Sequence, residues 1–259
     1  MIRVHENGLT YYQFESLAGC DGVQHAIFTR LGGISLLPFH SLNLGGSVGD
    51  DPAAVDANRV AVFETLGLAP EQVVTGYQVH SANVACVGSE HGGRVLPGAD
   101  GLLTQDPVAL LSRFADCVPI LLFDPVRRAA GILHAGWRGT AAQIAALGVR
   151  QMRANFGTRP RDIIAGIGPS IGPCCYQVQD DFVRAICAAW PAARTHIHTN
   201  SGTTHADLWA MNRQQLLDAG VRKIEESCIC TACHRDEFFS HRGDGGRTGR
   251  FGVIVHVRG

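Results

Sequence analysis

Histidine and cysteine are the residues of this chain whose chemistry best suits a metal ion. Three of them stand next to the ends of predicted strands: His80 in GYQVHSA, Cys117 in RFADCVPI and His134 in ILHAGWRG. Strand ends of one sheet can converge on a point even when they are far apart in sequence. Two imidazoles and one thiolate suit zinc, and three protein ligands with an open fourth position are typical of a catalytic site. These residues therefore form a candidate metal site.

Spacing alone does not single out this triple, because the chain has 12 histidines and nine cysteines and a histidine beside a strand is usually structural. A rival segment, Cys228-Ile-Cys230-Thr-Ala-Cys233-His234, offers four soft ligands in seven residues. Structural zinc usually takes two separated pairs, and no second CxxC pair exists. We interpret this segment as a strand end with incidental thiols. Cys174 and Cys175 are interpreted as packing residues, since adjacent cysteines seldom chelate together.

Arginines among glycines form a second chemical pattern. Arg30 lies in TRLGGIS, Arg138 in HAGWRGT and Arg242 in SHRGDGGRTGR. Glycine lets backbone N–H groups approach an anion, and arginine offers a forked donor for phosphate or carboxylate. A flexible solvated hairpin would explain the composition of the basic loops equally well. The motifs GxxxxGK[ST] and GxGxxG are absent, so ATP hydrolysis and NAD chemistry have no support.

The elements that must position these residues are a mixture of strands and helices. Asp51 and Pro52 suit the N-cap and first turn of one helix. Thr140 is expected to cap a second helix that runs to Phe156 and stops at Gly157. Further helices are predicted over 180–190 and 206–219, and strands over 24–29, 73–79, 83–87, 118–123, 129–134, 162–167, FFSH (238–241) and RFGVIVHV (250–257). The pattern predicts α and β structure in one domain, residues 1–259, without defining the sheet order.

Composition narrows the class of protein. Hydrophobic residues make up 46% of the 259 residues, charged residues 17%, and the net charge is -1. This balance indicates a globular protein with a large core and no general nucleic-acid or membrane partner. The N-terminus lacks the features of a signal peptide, and no apolar stretch of about 18 residues occurs. We therefore expect a cytoplasmic protein with reduced thiols.

Eight motifs in order make the chain resemble a known family. They are TRLGGIS, SLNLG, QVHSA, ADG at 99–101, ADCVPIL, HAGWRGT, GPSIGPCCYQV and FFSHRGDGGRTGR. Together they closely resemble the YfiH family, also called the laccase-domain or polyphenol oxidase family, from about residue 20 to the C-terminus. The resemblance implies an α+β fold, a single domain of packed mixed β-sheets covered by helices. It also places the metal ligands at His80, Cys117 and His134.

The resemblance implies a zinc-dependent purine nucleoside enzyme. Such members phosphorolyse adenosine, inosine, guanosine and methylthioadenosine and also deaminate adenosine. Some bacterial members are instead linked to peptidoglycan editing, as an amidase that removes a wrongly added amino acid from a muramic acid nucleotide. The laccase label implies a copper-dependent polyphenol oxidase. The expected partners are therefore a small nucleoside or nucleotide-sugar substrate and phosphate; the oligomeric state is not defined.

Motif position suggests roles for individual residues. We predict Arg242 and Asp116 as catalytic groups, with Asp116 or Asp100 moving protons. Arg30 and Arg138, together with Arg242, are predicted to hold phosphate, and Asn43 to contact the ribose or base. His241 stands where the family often has an aromatic residue, which could alter substrate preference.

Two alternatives remain beside the nucleoside and amidase functions. Laccase chemistry needs several paired histidines for a trinuclear copper cluster, and the only HxH motif is His196-Ile-His198. We therefore favour zinc over copper, although a set of two histidines and one cysteine can bind copper. A non-catalytic module that uses zinc only for stability is the remaining possibility.

Overall fold

Two β-sheets form the centre of the computed structural model, which describes residues 1–258. The strands are β1 (Ile2–Glu6), β2 (Leu9–Gln13), β3 (Val23–Phe28), β4 (Val73–Tyr77), β5 (Val84–Cys86), β6 (Val95–Pro97), β7 (Gly101–Thr104), β8 (Ala109–Phe114), β9 (Val118–Asp124), β10 (Ala129–Ala135), β11 (Ile164–Ile167), β12 (Ile197–Asn200), β13 (Thr203–Ala206), β14 (Lys223–Glu226) and β15 (Phe251–Val257). The α-helices are α1 (Glu15–Ala18), α2 (Pro52–Thr65), α3 (Trp137–Ala141), α4 (Ile144–Phe156), α5 (Asp180–Ala189) and α6 (Leu208–Asp218). Short 3-10 helices cover Pro70–Gln72, Ser89–His91, Pro160–Asp162 and Pro191–His196.

Both large sheets mix parallel and antiparallel pairing. The first has the order β1-β2-β3-β15-β8-β4-β6, the second has the order β14-β11-β9-β10-β7-β5, and β12 and β13 form a separate ribbon. Strand β4 runs parallel to β8 and β6, whereas β9 and β10 are antiparallel. The predicted α+β fold of packed mixed sheets covered by helices is confirmed by this architecture and by solved structures of the same fold.

The apolar run VPILLF explains how the layers pack. Its strand β9 is buried along its whole length, as expected for a strand covered on both faces. Ile120 and Leu122 belong to a core that includes residues of α4 and α6. Leu121 and Phe123 belong to the core between the two sheets. A third core joins the outer face of the first sheet to α2, so the order of layers is helix, sheet, sheet, helices.

The predicted metal ligands lie where the chain crosses from one sheet to the other. Since β4 and β8 are parallel, they end at the same edge of the first sheet, and His80 follows β4. The chain leaves β8 through 115–117 and enters β9 of the second sheet directly after Cys117. In the antiparallel partner β10, His134 pairs with Pro119 at the start of β9. Topology therefore brings the three residues to one corner.

Two of the three helix ends predicted from capping residues are right. Asp51 caps α2 by accepting a hydrogen bond from the N–H of Ala53 at 3.0 Å. Helix α4 ends at Phe156, and Gly157 follows with φ of 66°. The predicted start at Thr140 is wrong, because α3 already contains this residue and Gln143, with φ of 59°, separates α3 from α4. The Thr140 hydroxyl accepts a hydrogen bond from Asn212 instead of capping.

The strand predicted for FFSH is also wrong. Phe238 and Phe239 are fully buried, which explains the apolar pattern. Their backbone nevertheless belongs to a turn, in which the N–H of Phe238 donates to the carbonyl of His234 at 2.9 Å. Within the part of the chain that the structure describes, no helix has the length and apolar character needed to span a bilayer.

Truncating a side chain between the sheets should weaken the whole fold. Ile132 in β10 is fully buried in this core, so Ile132→Ala should lower the free energy of unfolding by about 2–5 kcal/mol. Urea denaturation followed by circular dichroism measures the loss. Val126→Ala is the matched control because Val126 is 62% exposed, and its effect should stay within about 0.5 kcal/mol. Equal losses in both variants would contradict this description of the core.

Candidate functional site

The structure brings the three predicted metal ligands together. The imidazole nitrogens of His80 and His134 and the Sγ of Cys117 lie within 4.8 Å of one another. The two imidazole rings meet edge to face, with centroids 5.0 Å apart. His134 is buried, Cys117 is half-buried and His80 is exposed. One side of the site is therefore covered by protein, and the other is open to solvent.

Asp100 positions both histidines. Its carboxylate lies 2.8 Å from Nδ1 of His134, which leaves Nε2 of that ring for a metal. The same carboxylate accepts hydrogen bonds from the backbone N–H groups of Val79, His80 and Ser81 at 3.2, 3.0 and 2.7 Å. These bonds stabilise the left-handed backbone of His80, whose φ is 61°. A carboxylate behind a ligating histidine fixes its tautomer and orientation.

Electrostatics favour a cation at this site. Burial raises the pKa of the Cys117 thiol, but the neighbouring His134 and His80 bring it down to about 6. Burial lowers the pKa of His134, whereas the Cys117 thiolate and Asp100 raise it to about 9. Burial also raises the pKa of Asp100, but hydrogen bonds from His134 and Ser81 lower it to about 2. Two imidazoles and one thiolate at these distances fit a divalent metal such as zinc.

Gly136 leaves space for the ligands. A Cβ at this position would lie 3.1 Å from Sγ of Cys117 and 3.1 Å from Cδ2 of His80. Both contacts are tighter than ordinary van der Waals contact, so a side chain at this position would push against Cys117 and His80.

Asp116 fixes the turn before Cys117. Its own φ is 88°, a conformation that is unfavourable for a residue with a side chain. The carboxylate compensates by accepting hydrogen bonds from the hydroxyls of Thr231 and Ser240, both at 2.7 Å, and from the N–H of Arg242 at 2.6 Å. Asp116 therefore ties the loop that carries Cys117 to the C-terminal basic loop.

A cavity of about 760 Å³ opens from the metal triad. This volume lies within the range of pockets for small ligands. Its lining is strongly cationic, with four arginines, three histidines and one acidic residue, Asp116. The charged and aromatic residues that line it are Tyr77, His80, Arg113, Asp116, His134, Trp137, Arg138, Tyr176, His241, Arg242 and Arg250.

The four arginines differ in how many donors remain available. Arg138 is exposed, its guanidinium carbon lies 4.4 Å from the Trp137 ring, and residues 1–258 offer it no hydrogen-bond or ion-pair partner. Arg242 donates one bond, to the carbonyl of Gln177 at 2.8 Å. Arg250 donates to two backbone carbonyls, and Arg113 donates to one. Arg138 and Arg242 are therefore best placed to bind an anion.

Residues 24–258 match the family described as multi-copper polyphenol oxidoreductase laccase. The chain belongs to this family. A purine nucleoside phosphorylase of Bacteroides thetaiotaomicron is 35% identical over 94% of this chain and 95% of its own length. The purine nucleoside phosphorylase YlmD of Geobacillus stearothermophilus is 41% identical over 92% of this chain and 91% of its own length.

Solved structures of the laccase-like YfiH family agree with this assignment. The hypothetical protein YfiH of Bacillus licheniformis superposes with a TM-score of 0.90 at 36% identity, and 97% of each chain is covered. YlmD of Geobacillus stearothermophilus superposes with a TM-score of 0.89 at 37% identity, again with 97% of each chain covered. The resemblance inferred from the motifs is confirmed.

Two predicted substrate contacts of this YfiH-family chain lie away from the cavity lining. Arg30 donates to the carbonyls of His40 and Arg235, both at 2.8 Å, and stacks on Phe239. Asn43 is fully buried, and its amide joins Gly45 and Asp50 to the backbone of Arg250. Both side chains hold the loops behind the cavity wall.

Sequence reasoning missed three lining residues with functional chemistry: Arg113, Tyr176 and Arg250. Arg250 ends the motif GRTGR, so a signal for it was present in the sequence. Arg113 lies in β8, a strand that the sequence analysis did not predict. Tyr176 follows the cysteine pair in GPCCYQV.

The structure brings four of the other cysteines together, which their spacing in the sequence did not predict. Cys174 and Cys175 lie beside Cys230 and Cys233, and their Sγ atoms are within 4.8 Å of one another. The chain has no second CxxC pair, but the adjacent cysteines Cys174 and Cys175 bring two further thiols to the pair Cys230 and Cys233. Cys228 lies outside the group.

Removing the charge of Asp100 should weaken metal binding. Asp100→Asn keeps the shape, but the amide cannot accept from both the His134 ring and the Ser81 N–H. Zinc affinity, measured by competition with a chromophoric chelator, should fall about 10–100-fold. Asp56→Asn, at an exposed carboxylate of α2 that pairs with Arg59, is the control and should bind zinc like the wild type. An unchanged affinity in Asp100→Asn would contradict the positioning role.

A methyl group at position 136 should have a similar effect through steric contact. Gly136→Ala should lower zinc affinity by at least tenfold, about 1.4 kcal/mol, because the Cβ meets Cys117 and His80. The same competition assay measures it. Gly19→Ala, where no atom lies within 4 Å of the added Cβ, should leave zinc affinity unaltered. Wild-type affinity in Gly136→Ala would show that the ligands do not need this space.

Proposed function

We propose that this protein is a zinc-dependent purine nucleoside phosphorylase that acts on adenosine, inosine, guanosine and methylthioadenosine and also deaminates adenosine. The observation that carries the proposal is the cavity of about 760 Å³, in which the His80–Cys117–His134 triad faces four arginines and three aromatic side chains. Relatives named purine nucleoside phosphorylase, which match over more than 90% of the chain, support it.

The cationic wall supplies the phosphate subsite. In phosphorolysis an oxygen of phosphate bonds to C1′ of the ribose while the bond between C1′ and the purine nitrogen breaks. Arg138 and Arg242 have unused donors at the cavity surface, and guanidinium groups bind phosphate through paired hydrogen bonds. Their charges hold the dianion next to the ribose, whose C1′ becomes cationic as the purine leaves.

The aromatic side of the cavity suits a purine base. Trp137 and Tyr176 line the same cavity as the arginines, and flat apolar rings stack on heterocyclic bases. Burial raises the pKa of Tyr176, so its hydroxyl stays protonated. Since residues 1–258 offer this hydroxyl no hydrogen-bond partner, it is available to donate to a nitrogen or oxygen of the base.

Zinc, held by His80, Cys117 and His134, would supply Lewis acidity for adding water to C6 of adenine. The protein's own contribution is to hold the ligands through Asp100 and to shield the site with the cavity walls. We prefer zinc to copper because the metal-binding groups found within residues 1–258 are this triad and an all-thiol cluster. His196 and His198 belong to the segment around β12 and join neither group.

Asp116 is proposed to act through other residues. Three donors already occupy its carboxylate, so its main effect is to hold Cys117 and the backbone of Arg242 in place. To protonate the departing base, the Asp116 carboxyl would first have to carry a proton on Oδ2, which accepts one hydrogen bond, whereas Oδ1 accepts two. A cytoplasmic location is part of the proposal, because Cys117 must remain reduced to bind metal.

The proposal is tested by incubating the purified zinc protein with inosine, with and without inorganic phosphate. We expect hypoxanthine and ribose 1-phosphate, detected by chromatography, only when phosphate is present. Conversion of adenosine to inosine tests deamination separately. The peptidoglycan-editing alternative would use the same triad and arginines, so a serine-bearing muramic nucleotide is included in parallel. Release of serine without phosphate-dependent release of hypoxanthine would overturn the proposal.

Arg138 should determine the affinity for phosphate. Hydrogen bonds to charged groups contribute about 1.5–3 kcal/mol, so Arg138→Ala should raise the KM for phosphate about 10–150-fold while zinc content stays unchanged. Steady-state kinetics at varied phosphate measures the effect. Arg150→Ala, at an exposed arginine of α4, is the matched control. An equal KM for phosphate in both variants would argue against a phosphate subsite at Arg138.

A further inference from the structure

Four thiols form a second cluster, and two of them directly precede Tyr176 in the chain. The Sγ atoms of Cys174, Cys175, Cys230 and Cys233 all lie within 4.8 Å of one another. Cys233 is 3.6 Å from Cys174 and 3.4 Å from Cys175, measured between sulfur atoms. All four are free thiols. None of these residues takes part in the site described above.

The distances suit one tetrahedral ion. In a tetrahedron with zinc–sulfur bonds of about 2.3 Å, neighbouring sulfur atoms are about 3.8 Å apart. The two separations from Cys233 are slightly shorter than this value, and all four sulfur atoms lie within 4.8 Å of one another, so small side-chain rotations would place them around a common centre. Four thiolates in this geometry select zinc or iron over harder metals.

The backbone already holds the two pairs in position. Cys230 and Cys233 stand on a tight turn, in which the N–H of Cys233 donates to the carbonyl of Cys230 at 3.1 Å. Cys175 stands on another, in which its N–H donates to the carbonyl of Gly172 at 3.0 Å. Ser170 joins the two segments by a β-bridge to Cys230.

Packing does not explain this group of cysteines. Cys174 and Cys233 are exposed and Cys175 is half-buried, so only Cys230 lies in the interior. The N–H of Gly172 donates to Sγ of Cys230 at 3.2 Å, a bond that stabilises negative charge on the sulfur. Exposed, converging thiols with one donor aimed at a sulfur are the pattern of a metal site rather than of a hydrophobic core.

We infer that Cys174, Cys175, Cys230 and Cys233 bind one zinc ion as a structural tetrathiolate site, separate from the His80–Cys117–His134 triad. The ion displaces the thiol protons and forms four zinc–sulfur bonds, and no electrons are transferred. All four protein ligands are cysteines, so no coordination position stays open for substrate.

The location of this second site indicates a structural role next to the cavity. Residue Tyr176 directly follows the pair 174–175 and lines the cavity. Thr231 lies between Cys230 and Cys233 and donates to the Asp116 carboxylate. A metal ion that joins these two turns would therefore hold one wall of the cavity against the loop that carries Cys117.

The experiment is metal analysis of the protein purified under reducing conditions with zinc supplied. We expect two zinc ions per chain in the wild type, one in Cys233→Ser and one in His80→Ala. Cys228→Ser is the matched control, since Cys228 is exposed, lies outside the cluster and should leave two ions. One ion per chain in the wild type, or two in Cys233→Ser, would overturn the inference.

Cobalt substitution identifies the ligands and does not depend on a folded Cys233→Ser variant. Titration of the metal-free wild type with Co²⁺ should saturate at two equivalents, one of which gives the intense near-ultraviolet absorption of a cobalt tetrathiolate. The same band should persist in His80→Ala. Saturation at one equivalent without this absorption would overturn the inference. A disulfide within the cluster, found by peptide mapping of protein purified under reducing conditions, would also overturn it.

Discussion

The buried carboxylate of Asp100 is the constraint on which the metal triad depends. Asp100 directly precedes β7 of the second sheet, yet it accepts hydrogen bonds from 79–81, the segment that follows β4 of the first sheet. It also binds the ring of His134 in β10. One carboxylate thus orients ligands from both sheets. It also favours a proton on His134, and a bound metal cation would take the place of that proton.

The cavity is locally positive although the protein as a whole is nearly neutral. The chain has a net charge of -1, but four arginines and a single acid line the cavity beside the triad. Because the carboxylate of Asp116 is already hydrogen-bonded to Thr231, Ser240 and the backbone of Arg242, it neutralises little of that field. The attraction of this region for anions therefore comes from a local arrangement of arginines rather than from the overall charge.

Strand patterns made the triad one candidate among several, and the order of the surrounding family motifs singled it out. The motifs predicted Arg138 and Arg242, which line the cavity, but not Arg250. TRLGGIS and GRTGR look alike as basic glycine-rich segments, and only the tertiary contacts show that Arg30 is occupied by backbone carbonyls while Arg250 reaches the cavity. The thiol cluster depends on a β-bridge between segments about 60 residues apart. The break between α3 and α4 occurs at Gln143, a residue that carries no glycine or proline signal.

The crossing of the chain between the two sheets gives a metal ion at the triad a mechanical role. His80 follows a strand of the first sheet, whereas His134 belongs to the second, and Cys117 lies on the connection. An ion bound by all three residues is a reversible cross-link between the two sheets. This cross-link exists only while the sheets are packed against each other. Unfolding would then release the ion in the same step that separates the sheets, so the free energy of unfolding would rise with the concentration of the free ion.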